Sequence, residues 1–383
     1  MIHTNENRQL FGSSVDKLTK FNWTLLCLVI TTSAIGVVAL YSVAGGDFSP
    51  WASAQIQRGL VGLAILFAIA LTPTRFWQAT ALPLYLVSIA LLIAVELSGA
   101  AVKGAQRWLE VGALRVQPSE FVKICLILVL AALYAELPQK RVSRPLWIAL
   151  PVLLTLVPVL LVFRQPDLGT AVMIALSGAA VMFAAGVNFR YFAAVGLLAI
   201  GVASTVLLSR DTDWQILEDY QYRRIETFLN PDSDPFDAGY HTTQSKIAFG
   251  SGGLHGRGYL QGTQSQLNFL PEKHTDFVFT TLAEEFGLIW CLVILAFYGF
   301  ISGFCIRFAI RCGDRFCALL VIGLSSVFFL HFSANLAMVS GLIPVVGIPL
   351  PLISYGGTAL LMTFAAFGLI ESAHIHASRR SEQ

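Results

Sequence analysis

Long apolar runs alternate with short polar breaks along almost the whole chain. A membrane-crossing helix needs about 20 mostly apolar residues. Ten runs qualify or nearly do: Trp23–Val43, Ile56–Leu71, Phe76–Leu97, Phe121–Ala135, Leu146–Phe163, Leu168–Ala185, Tyr191–Leu208, Phe277–Ile310, Phe316–Gly341 and Ile353–His374. The eighth is long for one crossing, which predicts a tilt or a part projecting beyond the hydrocarbon. The pattern predicts an all-α integral membrane protein with about ten transmembrane helices, read as a single polytopic membrane domain over 1–383. One long polar stretch, 209–275, separates the seventh run from the eighth. Its turn chemistry ("FLNPDSDPFDAGYH") and glycine content predict short helices and turns lying on one face of the bundle.

Composition agrees. Of 383 residues, 56% are hydrophobic and 13% charged, with mean hydropathy +0.70, so the bilayer is the main solvent. The net charge of +2 points to no particular partner, and no nucleic acid is expected. Lys and Arg give the orientation. With the N-terminus inside, the inner segments carry Arg8, Lys17, Lys20, Arg75, Lys140, Arg141, Arg144, Arg190, Arg307, Arg311, Arg315, Arg379 and Arg380, against Lys103, Arg107, Arg115 and Arg164 in the short outer loops. That bias predicts both termini in the cytoplasm and 209–275 as a large extracytoplasmic loop. The polar first twenty residues lack the apolar core of a secretory signal. The six cysteines are scattered and match no zinc spacing.

In such a chain the rare polar residues are informative, because an ionisable group within a span is costly. They gather in four stretches: "VKGAQRWLEVGALRVQPSEFVK" (102–123), "RQPDLGT" (164–170), "FLPEKHTDFVF" (269–279) and "GIPLPLISYGGT" (347–358). By the orientation above, all four fall on the outer side and read as one extracytoplasmic site, while the inner half is nearly bare. Arg107 and Lys123 are cations that need a partner or an anionic ligand. Glu120 precedes Lys123 by one helical turn and can pair with it, as a clamp or to hold Lys123 for a phosphate. Arg115 reads as an interfacial cation. Asp167 either caps the sixth helix or faces a cavity. Asp276, beside Lys273 and His274, either caps the eighth helix, as Thr275 equally could, or serves proton transfer or cation binding. Glu284 and Glu285 should face the bundle or pair with cations. His331 reads as a hydrogen-bonded bundle residue. Trp108 suits a sugar face or the membrane interface. The Gly/Pro-rich stretch before the last run predicts irregular backbone against protein or a water-lined cavity.

These stretches carry a resemblance. "KGAQRWL", "QPSEFVK", "RQPDLGT", "NPDSDPFDAGYHTTQSKIAFGSGG", "GTQSQLNFLPEKHTDFVFTTLAEEFG" and "PLPLISYGGT", in that order, resemble the SEDS family of bacterial cell-wall polymerases, and its elongation members (RodA-like) more than its division members (FtsW-like). The resemblance implies a ten-helix glycosyltransferase. It would polymerise lipid II on the outer face of the cytoplasmic membrane during cell elongation, with a class B penicillin-binding protein and the elongation machinery as partners. It marks Asp276 as required. The chemistry then suggests Asp276 as general base, with Arg107, Lys123 and Lys273 on diphosphate oxygens. Glu120, Asp167, His274 and Trp108 complete the expected substrate site. No cofactor is certain; a divalent cation (Mg²⁺ or Mn²⁺) shared by Asp276 and diphosphate is one option. A lipid-linked precursor transporter is the alternative, and a non-catalytic scaffold a third reading.

Overall fold

The computed structural model describes residues 19–102, 105–111, 114–209, 215, 222, 238–267, 269 and 272–377. Its helices are α1 Trp23–Val43, α2 Trp51–Leu71, α3 Thr74–Ser98, α4 Pro118–Glu136, α5 Pro145–Arg164, α6 Leu168–Ala185, α7 Phe189–Leu208, α8 Ala238–Ser251, α9 Thr263–Gln266, α10 Val278–Arg311, α11 Arg315–Val339 and α12 Gly357–His376. Ten of them, all but α8 and α9, are long and apolar enough to cross a membrane. They match the ten predicted runs, with instructive differences at the ends.

Helix α2 starts at Trp51, five residues before the apolar run, because Gln55 interrupts hydropathy but not helix geometry. Helix α12 starts at Gly357 rather than Ile353, since 347–356 is irregular backbone. Helix α10 is neither simply tilted nor simply projecting: it is broken at Gly287, whose φ of 77° and ψ of −174° are not helical. Only glycine adopts that conformation without strain. Residues 278–285, before the break, are all buried. The irregular backbone is therefore covered by protein, the condition under which it survives at membrane depth.

The segment between α3 and α4 corrects the reading of a plain loop. It is a three-stranded antiparallel meander of β1 Ala100–Val102, β2 Ala105–Val111 and β3 Leu114–Val116, with Leu109 opposite Val116 and Val111 opposite Leu114. Arg107 and Trp108 lie on β2; Lys103 falls outside the described residues. Of the 209–275 stretch, much also falls outside them. The described part carries α8, α9 and turns, and α8 packs on α10 and α11. Ser245 Oγ on α8 donates to Val339 O at 2.7 Å, which fastens α8 to the end of α11.

Helix α4 is the centre of the bundle: 72% of its apolar window is buried, against none for α7 at the periphery. Helices α3, α6 and α11 surround α4, and α12 lies along α2. Glycines sit where helices cross closely, Gly62 against Phe364, Gly178 against Thr155 and Gly323 against Ile127. Small residues let backbones approach where lipid supplies no hydrophobic drive. The α1–α2, α3–α4, α5–α6 and α11–α12 connections gather at one end, the polar end. The opposite end is not bare, contrary to expectation: Glu371 is 1% exposed there, and its Oε2 accepts the Asn22 N–H at 3.1 Å. One oxygen of this carboxylate ties the start of α1 to α12, while Oε1 is buried without a hydrogen-bond partner.

Candidate functional site

The turn 272–277 forms the floor of the polar end. It closes on itself: Thr275 N and Phe277 N both donate to Glu272 O at 3.2 Å, and Thr275 Oγ1 donates to Glu272 Oε2 at 2.9 Å. The N-cap of α10 is Phe277, with no side-chain cap. Neither Asp276 nor Thr275 stands at the N-cap position itself, contrary to the capping reading.

The irregular stretch 347–356 clamps this turn. Tyr355 N donates to His274 O at 2.9 Å, and Ser354 Oγ donates to Thr275 O at 2.5 Å. Asn335, fully buried on α11, donates to Asp276 O at 2.8 Å and to Ile348 O at 2.7 Å. Three consecutive carbonyls of the turn are thus fixed, two by the irregular stretch and the third by α11. The Asp276 carboxylate lies against Gly347, where an added Cβ would sit 3.5 Å from Oδ2; Gly347 has φ 67°, a left-handed position that suits glycine. Lys273 is buried, and desolvation pulls its pKa below the usual lysine value. The His274 ring is stacked on Trp51 of α2 at 4.7 Å and 15°, with Tyr355 at 6.0 Å. That packing gives His274 a part in positioning the turn.

Beside the wall lies a cavity of about 60 Å³, room for several waters. Glu120, Lys123, His331, Leu350, Ser354 and Gly356 are among the residues lining it, and its deeper walls are apolar. Lys123 Nζ donates to Glu120 Oε1 at 2.8 Å and contacts His331 Nε2 at 2.7 Å. The proton positions follow from His331 Nδ1, 2.8 Å from Val327 O. A carbonyl only accepts, so Nδ1 carries the hydrogen and Nε2 accepts from Lys123. An ammonium has three donors. Two are used by Glu120 and His331, and the third is available to the cavity. The predicted Glu120–Lys123 pair is present, and His331 is both hydrogen-bonded and part of the cavity wall. His331 and Asn335 lie one turn apart on α11, so one helix face holds both Lys123 and the Asp276 turn.

Arg107 reaches the α5–α6 connection. Its Nε donates to Gln165 O at 3.2 Å, its Nη2 donates to Pro166 O, and its Nη1 lies 3.8 Å from Asp167 Oδ2. Asp167 also caps α6, accepting from Thr170 N at 3.3 Å. The capping reading of Asp167 therefore holds; it also meets Arg107 and is not among the residues that line the cavity described above. Trp108 follows Arg107 along β2, and strand alternation turns it to the other sheet face. The sheet is stitched to the head of α12 through Thr358 Oγ1, which donates to Arg115 O at 3.2 Å and accepts from Gln117 N at 3.3 Å. The Arg115 side chain pairs with exposed Glu110, consistent with an interfacial cation.

Glu284 and Glu285 face protein, as expected, but pair with no cation. Glu284 Oε1 accepts from Thr263 Oγ1 at 3.0 Å and Gln264 N at 3.1 Å, and Glu285 Oε1 accepts from Ser42 Oγ at 2.5 Å. They anchor the 257–264 loop behind the turn. Among the described residues, no three His, Cys, Asp or Glu side chains gather as a metal site. Sequence reading missed Trp51, Asn335 and Arg58. Arg58 lies over the Tyr355 ring at 4.6 Å. Its signal is a lone cation two residues into the run Ile56–Leu71, in "AQIQRGLVG".

Comparisons with known proteins agree with one another. The FtsW/RodA/SpoVE family profile, described as cell cycle protein, matches residues 14–379. The chain is 46% identical over 279 residues to the peptidoglycan glycosyltransferase MrdB of Escherichia coli K12, covering 73% of each chain. It is 35% identical over 274 residues to a probable peptidoglycan glycosyltransferase FtsW of Trichlorobacter lovleyi, covering 71% of this chain and 69% of that one. In structure it is similar to a chain from a peptidoglycan synthase complex that coordinates polymerization and crosslinking, with TM-score 0.79 and 31% identity over 92% of this chain and 97% of that one. It is also similar to the rod shape determining protein RodA of Thermus thermophilus, with TM-score 0.69 and 29% identity over 92% and 96%.

Proposed function

The chain belongs to the FtsW/RodA/SpoVE family as a multi-pass membrane peptidoglycan glycosyltransferase, and we propose that it polymerises lipid II with Asp276 as the base. The observation that carries the role of Asp276 is its setting. Its carboxylate lies against Gly347, its backbone carbonyl is fixed by Asn335, and the stretch that clamps its turn also lines the Lys123 cavity.

The reaction joins an acceptor sugar 4-hydroxyl to C1 of an α-linked glycosyl diphosphate. Asp276 takes the hydroxyl proton as the oxygen attacks C1. The C1–O bond to phosphate breaks, and the lipid diphosphate leaves with the bonding electrons. One displacement inverts the α-linkage to β. A base of this kind contributes about 10²–10⁴ in rate. The leaving diphosphate gathers negative charge, which the free N–H of Lys123 and the guanidinium of Arg107 are suited to stabilise. Glu120 and His331 aim Lys123, Asp167 steadies Arg107, and His274 holds the turn by stacking on Trp51. Lys273 adds a second nearby cation, and Trp108 offers an apolar face at the rim. A divalent cation would have Asp276 and diphosphate oxygens as ligands and would supply further charge neutralisation.

The positive-inside bias supports placing this polar end on the outer face of the cytoplasmic membrane. The likeness to a chain of a polymerization-and-crosslinking complex supports a class B penicillin-binding protein as partner, within the elongation machinery. The test is purified full-length protein with labelled lipid II on a gel resolving glycan length, with and without that partner and EDTA. Wild type is expected to give a ladder. Asp276→Asn is expected to abolish it while keeping the wild-type melting profile. Near-normal turnover by Asp276→Asn would sink the base assignment. Transbilayer movement of labelled lipid II without lengthening would favour the transporter.

A further inference from the structure

Arg58 is a cation without an anion. It lies seven residues into α2, about 10 Å along the helix from Trp51. Among the described residues it has no ion pair. Its guanidinium lies on the Tyr355 ring at 4.6 Å, and its Nη1 is buried with no hydrogen-bond partner. It is also pressed against Gly357, 3.5 Å from where a Cβ would stand.

Gly357 is the first residue of α12, whose first turn has no side-chain cap and no acidic residue. The guanidinium therefore faces the positive end of a helix dipole, with uncapped N–H groups beside it. Two like partial charges held together, one of them an arginine within a span, call for negative charge between them. A second orphan sits at the same place. Gln55, one turn from Arg58 and 1% exposed, donates its amide N–H to Ser354 O at 3.2 Å, and its carbonyl oxygen has no partner. That oxygen needs a hydroxyl or amide donor.

We propose that Arg58, the first turn of α12 and Gln55 form a second lipid-diphosphate subsite, distinct from the Lys123 cavity, for a lipid-linked glycosyl diphosphate. Anionic oxygens take Arg58 Nη1 and the helix N–H groups, and a sugar hydroxyl donates to Gln55 Oε1. Ser354 and Gly356 line the Lys123 cavity, whereas Arg58 does not line it and meets the very next residue, Gly357. The 354–357 backbone thus stands between two cationic centres, and the Asp276 turn is clamped to it through Ser354 and Tyr355. A polymerase must hold two diphosphate-linked chains at once, one as donor and one as acceptor. The inference rests on the glycosyltransferase reading and gives that second chain a place.

The test counts bound molecules by native mass spectrometry on the full-length chain, with Asp276→Asn used to stop turnover. The probes are lipid II and undecaprenyl diphosphate. Two bound diphosphate lipids are expected, and one after adding Arg58→Gln. Arg58→Lys keeps the charge without the planar fork and is expected to retain the second molecule about tenfold more weakly. It also serves if Arg58→Gln does not fold. Gln55→Leu is expected to weaken lipid II but not undecaprenyl diphosphate, which has no sugar. An unchanged count in both Arg58 variants overturns the proposal. So does displacement of the second molecule by equimolar phosphatidylglycerol, which would make this a general headgroup site. A wild type that makes no glycan ladder sinks the glycosyltransferase reading itself. A wild type that makes the ladder while Arg58→Gln keeps both lipids sinks the subsite alone.

Discussion

Two sets of ionisable side chains are buried at the polar end, and they are satisfied in opposite ways. Lys123 is 2% exposed and is held by other ionisable side chains, Glu120 and His331, at the edge of a cavity. Glu284 and Glu285, at 0% and 2%, are held by hydroxyls and a backbone N–H, with no ion pair among the described residues; Arg257 reaches Glu284 only through the Thr263 hydroxyl. Burial is equally costly in both places. In the second set the donors belong to the protein and fasten one oxygen of each carboxylate, so the carboxylates act as anchors even though Glu284 Oε2 is buried without a hydrogen-bond partner. In the first set an ammonium keeps one donor for the cavity, so the cluster can take a ligand. Buried charge alone does not separate a fastening from a site; an unused donor at the edge of a cavity does.

The largest expected effect breaks the first set. Lys123→Met leaves Glu120 buried and unpaired, which should cost about 3–5 kcal/mol and lower the melting temperature markedly. Adding Glu120→Gln should recover most of that stability but no polymerisation. A double variant that polymerises normally would reduce the cluster to a clamp. Gly287→Ala tests the break that lets 278–285 turn inward. A side chain at φ 77° costs about 1–3 kcal/mol, and its Cβ would run into the backbone of Gly256. Faster hydrogen exchange over 252–262 is expected, with a smaller loss of activity. Glu285→Gln keeps the acceptor for Ser42, so stability should shift by about 1 kcal/mol or less and turnover by less than about twofold. A hundredfold loss in the ladder assay would move Glu285 into the site. The smallest effect concerns pH. Lys273 has a pKa lowered by burial, so its charged form opposes folding. The penalty is present at low pH and fades as pH rises through the lowered folded value toward the ordinary one. Lys273→Met should flatten the pH dependence of the melting temperature on the alkaline side, below the ordinary lysine pKa of ~10.4.

The spans were legible because hydropathy and length are properties of the chain itself, and a bilayer filters for both. The site was legible in part for the same reason. In a chain with so few charges, Arg107, Glu120, Lys123, Asp167, Lys273 and Asp276 stand out without coordinates. Their one-sided placement follows from counting crossings. The Glu120–Lys123 pair was readable from helical spacing. Tertiary structure decided what local pattern cannot carry. It set the break at Gly287, because only packing against 252–258 makes that conformation worthwhile. It brought His331 to Lys123 across 208 residues and Asn335 to the Asp276 turn across 59. It gave Glu284 and Glu285 a loop instead of cations. It also left Arg58 beside a helix start, over the Tyr355 ring and with no ion pair among the described residues. Sequence fixes the number and kind of polar groups a membrane protein must satisfy. Which partners satisfy them depends on contacts between distant segments, and so does which group is left over for a ligand.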